Sequence, residues 1–480
     1  MKKTFAAVIG VAVSVVLLAG CMNISKKEAV TVTYPVEPPD TRLFDTANNN
    51  NESAWTTTNT HDPSVIKTED GTYYVVSTDV KVGGPAQAGI MVRKSKDLIH
   101  WQWVGRVFDG VPKEAYEWTK GPTLWAPDVA KFGDRYYLYY ASSTFGSNQS
   151  FIGLATASSM EGPWTDEGEV IKTGLGDKQN AIDPNIVRDA DGNPWFVYGS
   201  FFSGIHILPL DPSTGKLKES GPGTLVAARS TAQESGAVEG PYIVYNPQFK
   251  KYYLFASYDS LSSDYNVRVG RADSITGPYV DYNGRNLADT EYEAQFDIGT
   301  KILGGYRFGE DPGWVAPGHN SVLQDGDDYY ILHHARPEQD TNWMYLHVRK
   351  ILWTEDGWPV VSPERYAGEK VQVIPKKEIA GEWETVEQLT MIDGQVESES
   401  LKLLPSGKIG LEDSGDTWTF DGDHTVTLHL NSDGNGETSV KVMLLPSWDW
   451  ELNRPTLVFT GLNDAGVAWW GKKLDSSDKP

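Results

Sequence analysis

The stretch HDPSVIKTEDGTYYVVSTD, residues 61–79, opens on a polar pair, runs through a short apolar strand, turns at Asp70 and Gly71, and enters a second strand carrying Tyr73 and Tyr74. An Asp-Gly turn between two strand-like runs predicts a β-hairpin. The same layout returns four times: APDVAKFGDRYYLYYASS (126–143), IDPNIVRDADGNPWFVYGS (182–200), EGPYIVYNPQFKKYYLFAS (239–257) and GHNSVLQDGDDYYILHHAR (318–336). A third strand-like run follows each hairpin: AGIMVRKS (88–95), SFIGLATASS (150–159), GIHILPLD (204–211), YNVRVGRADS (265–274) and WMYLHVRKI (343–351). The repeating unit is therefore three or four antiparallel strands. Its lead residues Asp62, Asp128, Asp183, Glu239 and His319 are spaced 66, 55, 56 and 80 positions apart, the size of a propeller blade with variable loops. The fold expected is all-β, a five-bladed β-propeller over residues 54–370. The 47 glycines and 27 prolines supply its turns, and a sandwich would lack the fivefold repeat.

Outside the repeats the chain changes character. Beyond Ala367, strand-like runs at 400–404, 417–420, 425–430, 439–445 and 456–460 predict a second domain over 371–480, a small β-barrel or sandwich. Its tryptophans Trp418, Trp448, Trp450, Trp469 and Trp470 are read as core or lid aromatics, with sugar stacking as the functional alternative. At the other end, Lys2 and Lys3 precede an apolar stretch from Phe5 to Leu18 and the small residues Ala19 and Gly20, which reads as an export signal over 1–20. The stretch is short for a membrane span. LAGC resembles the lipobox of bacterial lipoproteins, which implies lipidation of Cys21. Residues 21–53, with Pro35, Pro38, Pro39 and the run Asn48–Asn51, read as a flexible tether.

Composition excludes several function classes. With 65 acidic against 42 basic residues the net charge is -23, which argues against a partner made of nucleic acid or another polyanion. One cysteine permits no internal disulfide and no cysteine-based metal cluster. No phosphate-binding glycine loop, dinucleotide fingerprint or serine-nucleophile elbow stands in a fitting context, so no nucleotide cofactor is expected. The stretches NSDGNGETSVKV (431–442) and DADGN (189–193) fail as EF-hand loops; the first ends in Val442 where glutamate is required.

In a propeller the innermost strand of each blade opens onto one face, so the lead residues should meet at a common pocket. Three of them are the carboxylates Asp62, Asp183 and Glu239. Crowded in a partly enclosed site, like charges raise one another's pKa and allow one group to stay protonated near neutrality. That suits glycoside hydrolysis, which needs one acid to protonate the leaving oxygen and a second carboxylate on the opposite face of the sugar. Asp128 is assigned to a structural role, since Asp beside Pro commonly caps a turn or starts a strand. Trp125 on the rim is a candidate for stacking on a sugar. His319 heads the fifth repeat, where packing, metal ligation and proton partnership all remain open.

The segments HDPSV, AIDPNI and VEGPY resemble the three signature segments of glycoside hydrolase family 43, over roughly residues 56–370. That resemblance implies a five-bladed propeller acting with inversion on arabinose- and xylose-containing polysaccharides. WAPDV, STFGSNQSFIGLATASS, YGSFFSGI and GHNSVL are most similar to the endo-α-1,5-L-arabinanases of the family, and the C-terminal domain to that of its longer members. Carried over residue by residue, Asp62 matches the general base, Glu239 the general acid, and Asp183 the group that tunes and orients it. Gly146, Asn180, Ser200, Phe201 and Phe202, with Trp125, fall in segments that line the substrate groove. The GHNS segment is similar to one whose His helps hold a calcium ion, largely through waters, in the propeller channel. The implied partner is plant arabinan, met by a monomer held to a bacterial membrane only through its lipid. An exo-acting arabinofuranosidase or β-xylosidase of the same family and a non-catalytic glycan-binding lipoprotein are the alternatives.

Overall fold

The computed structural model describes Met1 and residues 31–39, 42–232, 236–392, 394–432 and 436–475. The segment read as an export signal and Cys21 lie outside the described residues. Among those described, no helix is long and apolar enough to cross a membrane.

Five sheets follow one another along the chain, antiparallel except where Gly305–Arg307, at the edge of the fifth, pairs in parallel with Gln395–Glu397. Blade one runs Ser64–Lys67, Tyr73–Ser77, Met91–Ser95, Gln102–Arg106, and blade two Trp125–Phe132, Arg135–Ser142, Ser150–Ala157, Thr165–Thr173. Blade three is built on Asn185–Arg188, Pro194–Tyr198 and Ile205–Asp211, edged by two short strands. Blade four runs Val238–Asn246, Lys251–Tyr258, Asn266–Ala272, Thr300–Leu303, and blade five Trp314–Asp325, Asp328–Pro337, Tyr345–Trp353, Pro359–Val361. The ring closes where Leu346 N–H donates to Thr57 O at 2.8 Å and Thr58 bridges to Tyr345, joining the segment before blade one to blade five.

The repeated aromatic pair explains why the sheets pack this way. Successive side chains of a strand point to opposite faces, so the two rings enter different seams. Tyr73 packs in the seam between blades one and five, and Tyr74 in that between one and two. Tyr252 and Tyr253 divide in the same way between the two seams flanking blade four, as do Tyr329 and Tyr330 for blade five. The core is thus a ring of five apolar seams, and both faces of each blade are buried.

Beyond the propeller, seven strands form one antiparallel sheet in the order Glu399–Leu403, Gly381–Glu387, Ala468–Lys473, Arg454–Asn463, Gly436–Asp449, Thr425–Ser432, Thr417–Gly422. The bridges Leu403–Ile409 and Lys408–Thr417 connect its two edges around an apolar core containing Trp383, Trp418, Phe459 and Trp469. Trp418, Trp448, Trp469 and Trp470 are all buried, as core residues should be. Trp450 is half-buried, donates Nε1–H to Arg365 O at 2.8 Å and stacks on the Arg365 guanidinium.

The two domains meet over charge as well as apolar surface. Lys472 Nζ lies 3.3 Å from Glu364 Oε1, 3.3 Å from Asp449 Oδ2 and 3.6 Å from Asp311 Oδ2, while Arg365 meets Glu451 at 3.1 Å. Glu364, Asp449 and Glu451 cluster closely enough to ligate an ion, but Lys472 already supplies the cation. The segment expected to be a tether is docked where it is described. Phe44 packs edge-on to Trp343 and donates its N–H to the Tyr345 hydroxyl, Glu52 forms a two-pronged ion pair with Arg106, and Thr33 exchanges hydrogen bonds with Gln372. Its few aromatic and charged side chains suffice to hold it down.

Candidate active site

Four of the five lead residues converge at one end of the channel, and the backbone explains the exception. Asp62, Asp183 and His319 have φ of 52°, 57° and 46°, and the equivalent position is Ala126 in blade two and Gly240 in blade four, with φ of 32° and 57°. In blades one to four this residue precedes a proline. Non-glycine residues in this region are strained and cluster at functional sites. Aligned on that turn, Asp128 stands two residues further along its strand, level with Ser64 and Asn185. There it accepts hydrogen bonds from Ser64 Oγ at 2.5 Å, Ile186 N–H at 2.6 Å and Asn185 Nδ2–H at 3.2 Å, stitching blades one, two and three together. The structural role assigned to Asp128 holds, but its place as a lead residue does not: blade two brings Ala126 to the pocket.

Asp62 sits in a cage of histidines. Its Oδ1 lies 2.6 Å from His61 Nδ1 and 3.1 Å from His319 Nδ1, and its Oδ2 accepts the Thr78 hydroxyl at 2.5 Å. Thr78 Oγ1 in turn accepts Ala126 N–H at 2.6 Å, which ties the carboxylate to the strand that carries Trp125. Burial works against ionisation of Asp62, but His319 and His61 outweigh it and hold the carboxyl well below its usual range. For His319 burial disfavours the charge, yet Asp62 and Asp183 raise its pKa to about 9. Behind them His334 accepts Asp62 N–H at Nδ1, 3.4 Å away, and stacks on His61 at 3.7 Å; burial keeps it neutral. Arg336 closes the cage, 3.2 Å from His61 Nε2.

Asp183 and Glu239 form the other half. Asp183 Oδ2 accepts Gly240 N–H at 3.0 Å, one residue from Glu239. Burial, followed by repulsion from Glu239 and Asp62 and relieved in part by His319, pushes Asp183 up to about 7. Asp183 therefore keeps a share of its proton near neutrality. Glu239 Oε2 accepts the Ser200 hydroxyl at 2.6 Å and Oε1 the Tyr265 hydroxyl at 2.8 Å. Phe201 N–H donates to Val238 O at 2.9 Å, which pins the Ser200 loop beside Glu239.

The remaining candidates surround this centre. Antiparallel blades bring their second-to-third loops, and the connections between blades, to the face where the inner strands begin. Gly146, Asn180, Ser200, Phe201, Phe202 and the strand-leading Trp125 all lie there. Asn180 is buried, accepting from Ser150 Oγ at 2.7 Å and donating to Ser200 O at 3.3 Å, so it braces the Ser200 loop. Trp125 is half-buried and donates Nε1–H to Thr123 Oγ1 at 3.1 Å. Gly146 has φ of 77° in a loop whose Phe145 is 82% exposed, and Phe202 is 44% exposed. Free aromatic surface therefore stands on the rim of a polar pocket.

His319 was the metal candidate. Its Nδ1 is taken by Asp62 and its N–H donates to Ser257 Oγ at 2.8 Å, which leaves Nε2 for another partner. Further along the same inner strand, both amide atoms of Asn320 and the Ser321 hydroxyl are buried without a hydrogen-bond partner. Such orphaned groups fit the waters around a hard cation. His61, Asp62 and His334 are also grouped closely enough to ligate, but the Nδ1 atoms of both histidines are already engaged with Asp62, and His334 Nε2 is buried without a hydrogen-bond partner.

Sequence reading missed His61, Thr78, Tyr265, His334 and Arg336 as site residues. All lie in quoted repeat segments, at strand ends on the active face; His61 opens the HDPSV segment beside Asp62, and none of the other four belongs to a motif that marks it.

Residues 55–359 match the family described as Glycosyl hydrolases family 43, and residues 363–471 a C-terminal lipocalin-like domain. The chain is 34% identical over 457 residues to an extracellular endo-α-(1→5)-L-arabinanase of Thermotoga petrophila, covering 86% of this chain and 93% of that protein. It is 32% identical over 456 residues to extracellular endo-α-(1→5)-L-arabinanase 2 of Bacillus subtilis, covering 86% and 92%. A crystal structure of the Thermotoga petrophila endo-1,5-α-L-arabinanase superposes with a TM-score of 0.78 at 32% identity, covering 88% of this chain and 99% of that one.

Proposed function

The chain belongs to glycosyl hydrolase family 43 and is a glycoside hydrolase, and from that premise we propose that it is an inverting endo-1,5-α-L-arabinanase cutting internal α-1,5 bonds of plant arabinan. The likeness to endo-acting relatives runs through both domains, and that single observation supports the endo reading best. A neutral glycan also suits a chain of net charge -23.

In this reading Asp62, kept ionised by His319 and His61, removes a proton from a water lying against the anomeric carbon. The new C–O bond forms on the face opposite the departing sugar. Glu239 gives its proton to the glycosidic oxygen as the old C–O bond breaks with its electron pair. Asp183, beside Glu239 and bonded to Gly240 N–H, would tune and orient the acid. Exposed Phe145 and Phe202, with Trp125, offer apolar surface to the sugar faces.

Calcium is part of the proposal. His319 Nε2, with Asn320 and Ser321 meeting its waters, would hold the ion, and a bound divalent cation would add positive charge to the pocket floor. To hold it, His319 would have to offer Nε2 without a proton. Secretion follows the names of the extracellular relatives, and a lipid on Cys21 would fix the enzyme to the outer membrane face; fractionation of Cys21→Ser beside the unsubstituted chain checks that anchor.

The direct test uses residues 31–480, which keep the docked segment, with linear 1,5-arabinan, following viscosity and released sugars together. A fast viscosity drop with mixed short oligosaccharides is expected, and a chelated sample should lose activity or melt earlier. Arabinose or one short product at nearly constant viscosity would replace the endo reading with an exo one. No product at all would move the substrate to xylan or leave a glycan-binding protein.

A further inference from the structure

Of the two hydroxyls on Glu239, that of Tyr265 comes from the loop leading into the third strand of blade four, where no signature segment lies. Tyr265 stands one residue ahead of Asn266–Ala272 and is 1% exposed. Its ring stacks on His334 at 5.8 Å between centroids and 21° between planes. On another side it presses on Gly318, where a Cβ would come within 2.1 Å of Tyr265 Cδ1. The glycine before His319 is thus required by the ring, and the ring is confined. A confined phenol holding one oxygen of Glu239, with Ser200 on the other, leaves that carboxyl little rotational freedom.

We propose that Tyr265 is a positioning residue for proton delivery: it fixes Glu239 against the leaving oxygen and stabilises the carboxylate that remains after the proton has gone. This rests on the reading of Glu239 as the acid. In the step, the O–H bond of Glu239 breaks, an O–H bond forms on the glycosidic oxygen, and negative charge develops on Glu239 where Tyr265 already donates. A donor aimed at charge that appears only during reaction lowers the barrier without tightening substrate binding. Tyr265 remains a donor throughout. Burial, then the neighbouring Glu239, Asp62 and Asp183, raise its pKa far above the ordinary phenol range, so it does not compete for the proton. His334, the platform for its ring, also accepts the backbone N–H of Asp62, and so links the acid side of the pocket to the base side.

Tyr265→Phe keeps the ring and removes only the hydroxyl. On arabino-oligosaccharides, whose leaving oxygen needs a proton, kcat should fall about 10- to 100-fold, the range for a hydrogen bond to a charged group, with KM within about twofold. On a 4-nitrophenyl arabino-oligosaccharide, whose phenolate departs unaided, kcat should fall by less than about threefold. Adding Tyr265→Phe to Glu239→Gln should slow neither substrate further. Equal losses on both substrates, or a loss confined to KM, would overturn the role and leave Tyr265 as packing. An inactive Glu239→Gln beside an indifferent Tyr265→Phe would overturn this role alone, whereas wild-type turnover by Glu239→Gln would overturn the acid assignment with it.

Discussion

Glu239→Gln should lower turnover of linear arabinan by about a thousandfold or more while substrate binding is largely kept. Glutamine has the same shape, and the two hydroxyls around it can adapt. Its Oε1 still accepts from Tyr265, and its amide can face Ser200, whose hydroxyl can turn and accept. What is lost is the proton. The loss should therefore shrink sharply on a 4-nitrophenyl glycoside, and steady-state kinetics on both substrates, with an isothermal titration of arabino-oligosaccharide, would check it. Comparable turnover by mutant and wild type would remove Glu239 from the acid role.

Asp62→Asn should be as damaging, by roughly three to four orders of magnitude in kcat, but with a different signature. Water must be activated whichever group leaves, so arabinan and the nitrophenyl glycoside should suffer alike. The backbone poses no obstacle, because asparagine tolerates the left-handed conformation that Asp62 adopts at φ 52°. The Thr78 hydrogen bond can persist, while the charge facing His319 and His61 disappears. A loss confined to arabinan would place Asp62 on the leaving-group side and reverse the two roles.

Much of this was legible in the sequence because a propeller repeats its physics. Each blade needs a turn, an inner strand and a second strand with one ring for each flanking seam, and the Tyr-Tyr pairs announce that requirement. Register was harder. Asp128 has the right chemistry near the right place, yet the Pro that follows Asp62, Ala126, Asp183 and Gly240 marks the strained lead position, and counting from it puts Asp128 two residues too deep. In the second domain the strands Gly381–Glu387 and Ala468–Lys473 escaped notice. The first is dense in glutamate, and the second buries Lys472 as an ion-pair partner, so neither carries a plain apolar pattern. The three carboxylates stand in recognisable segments, but Tyr265, His334 and Thr78 reach them from loops and strand ends whose neighbours only folding supplies.

Stereochemistry tests the division of labour between Asp62 and Glu239 most directly. Proton NMR of an arabino-oligosaccharide digest, recorded before the new reducing ends equilibrate, reads the anomer first formed. Water activated by Asp62 and delivered opposite the departing sugar must yield the β-anomer from an α-linked substrate. The α-anomer as first product would mean a covalent intermediate on one of these carboxylates, and would contradict the account.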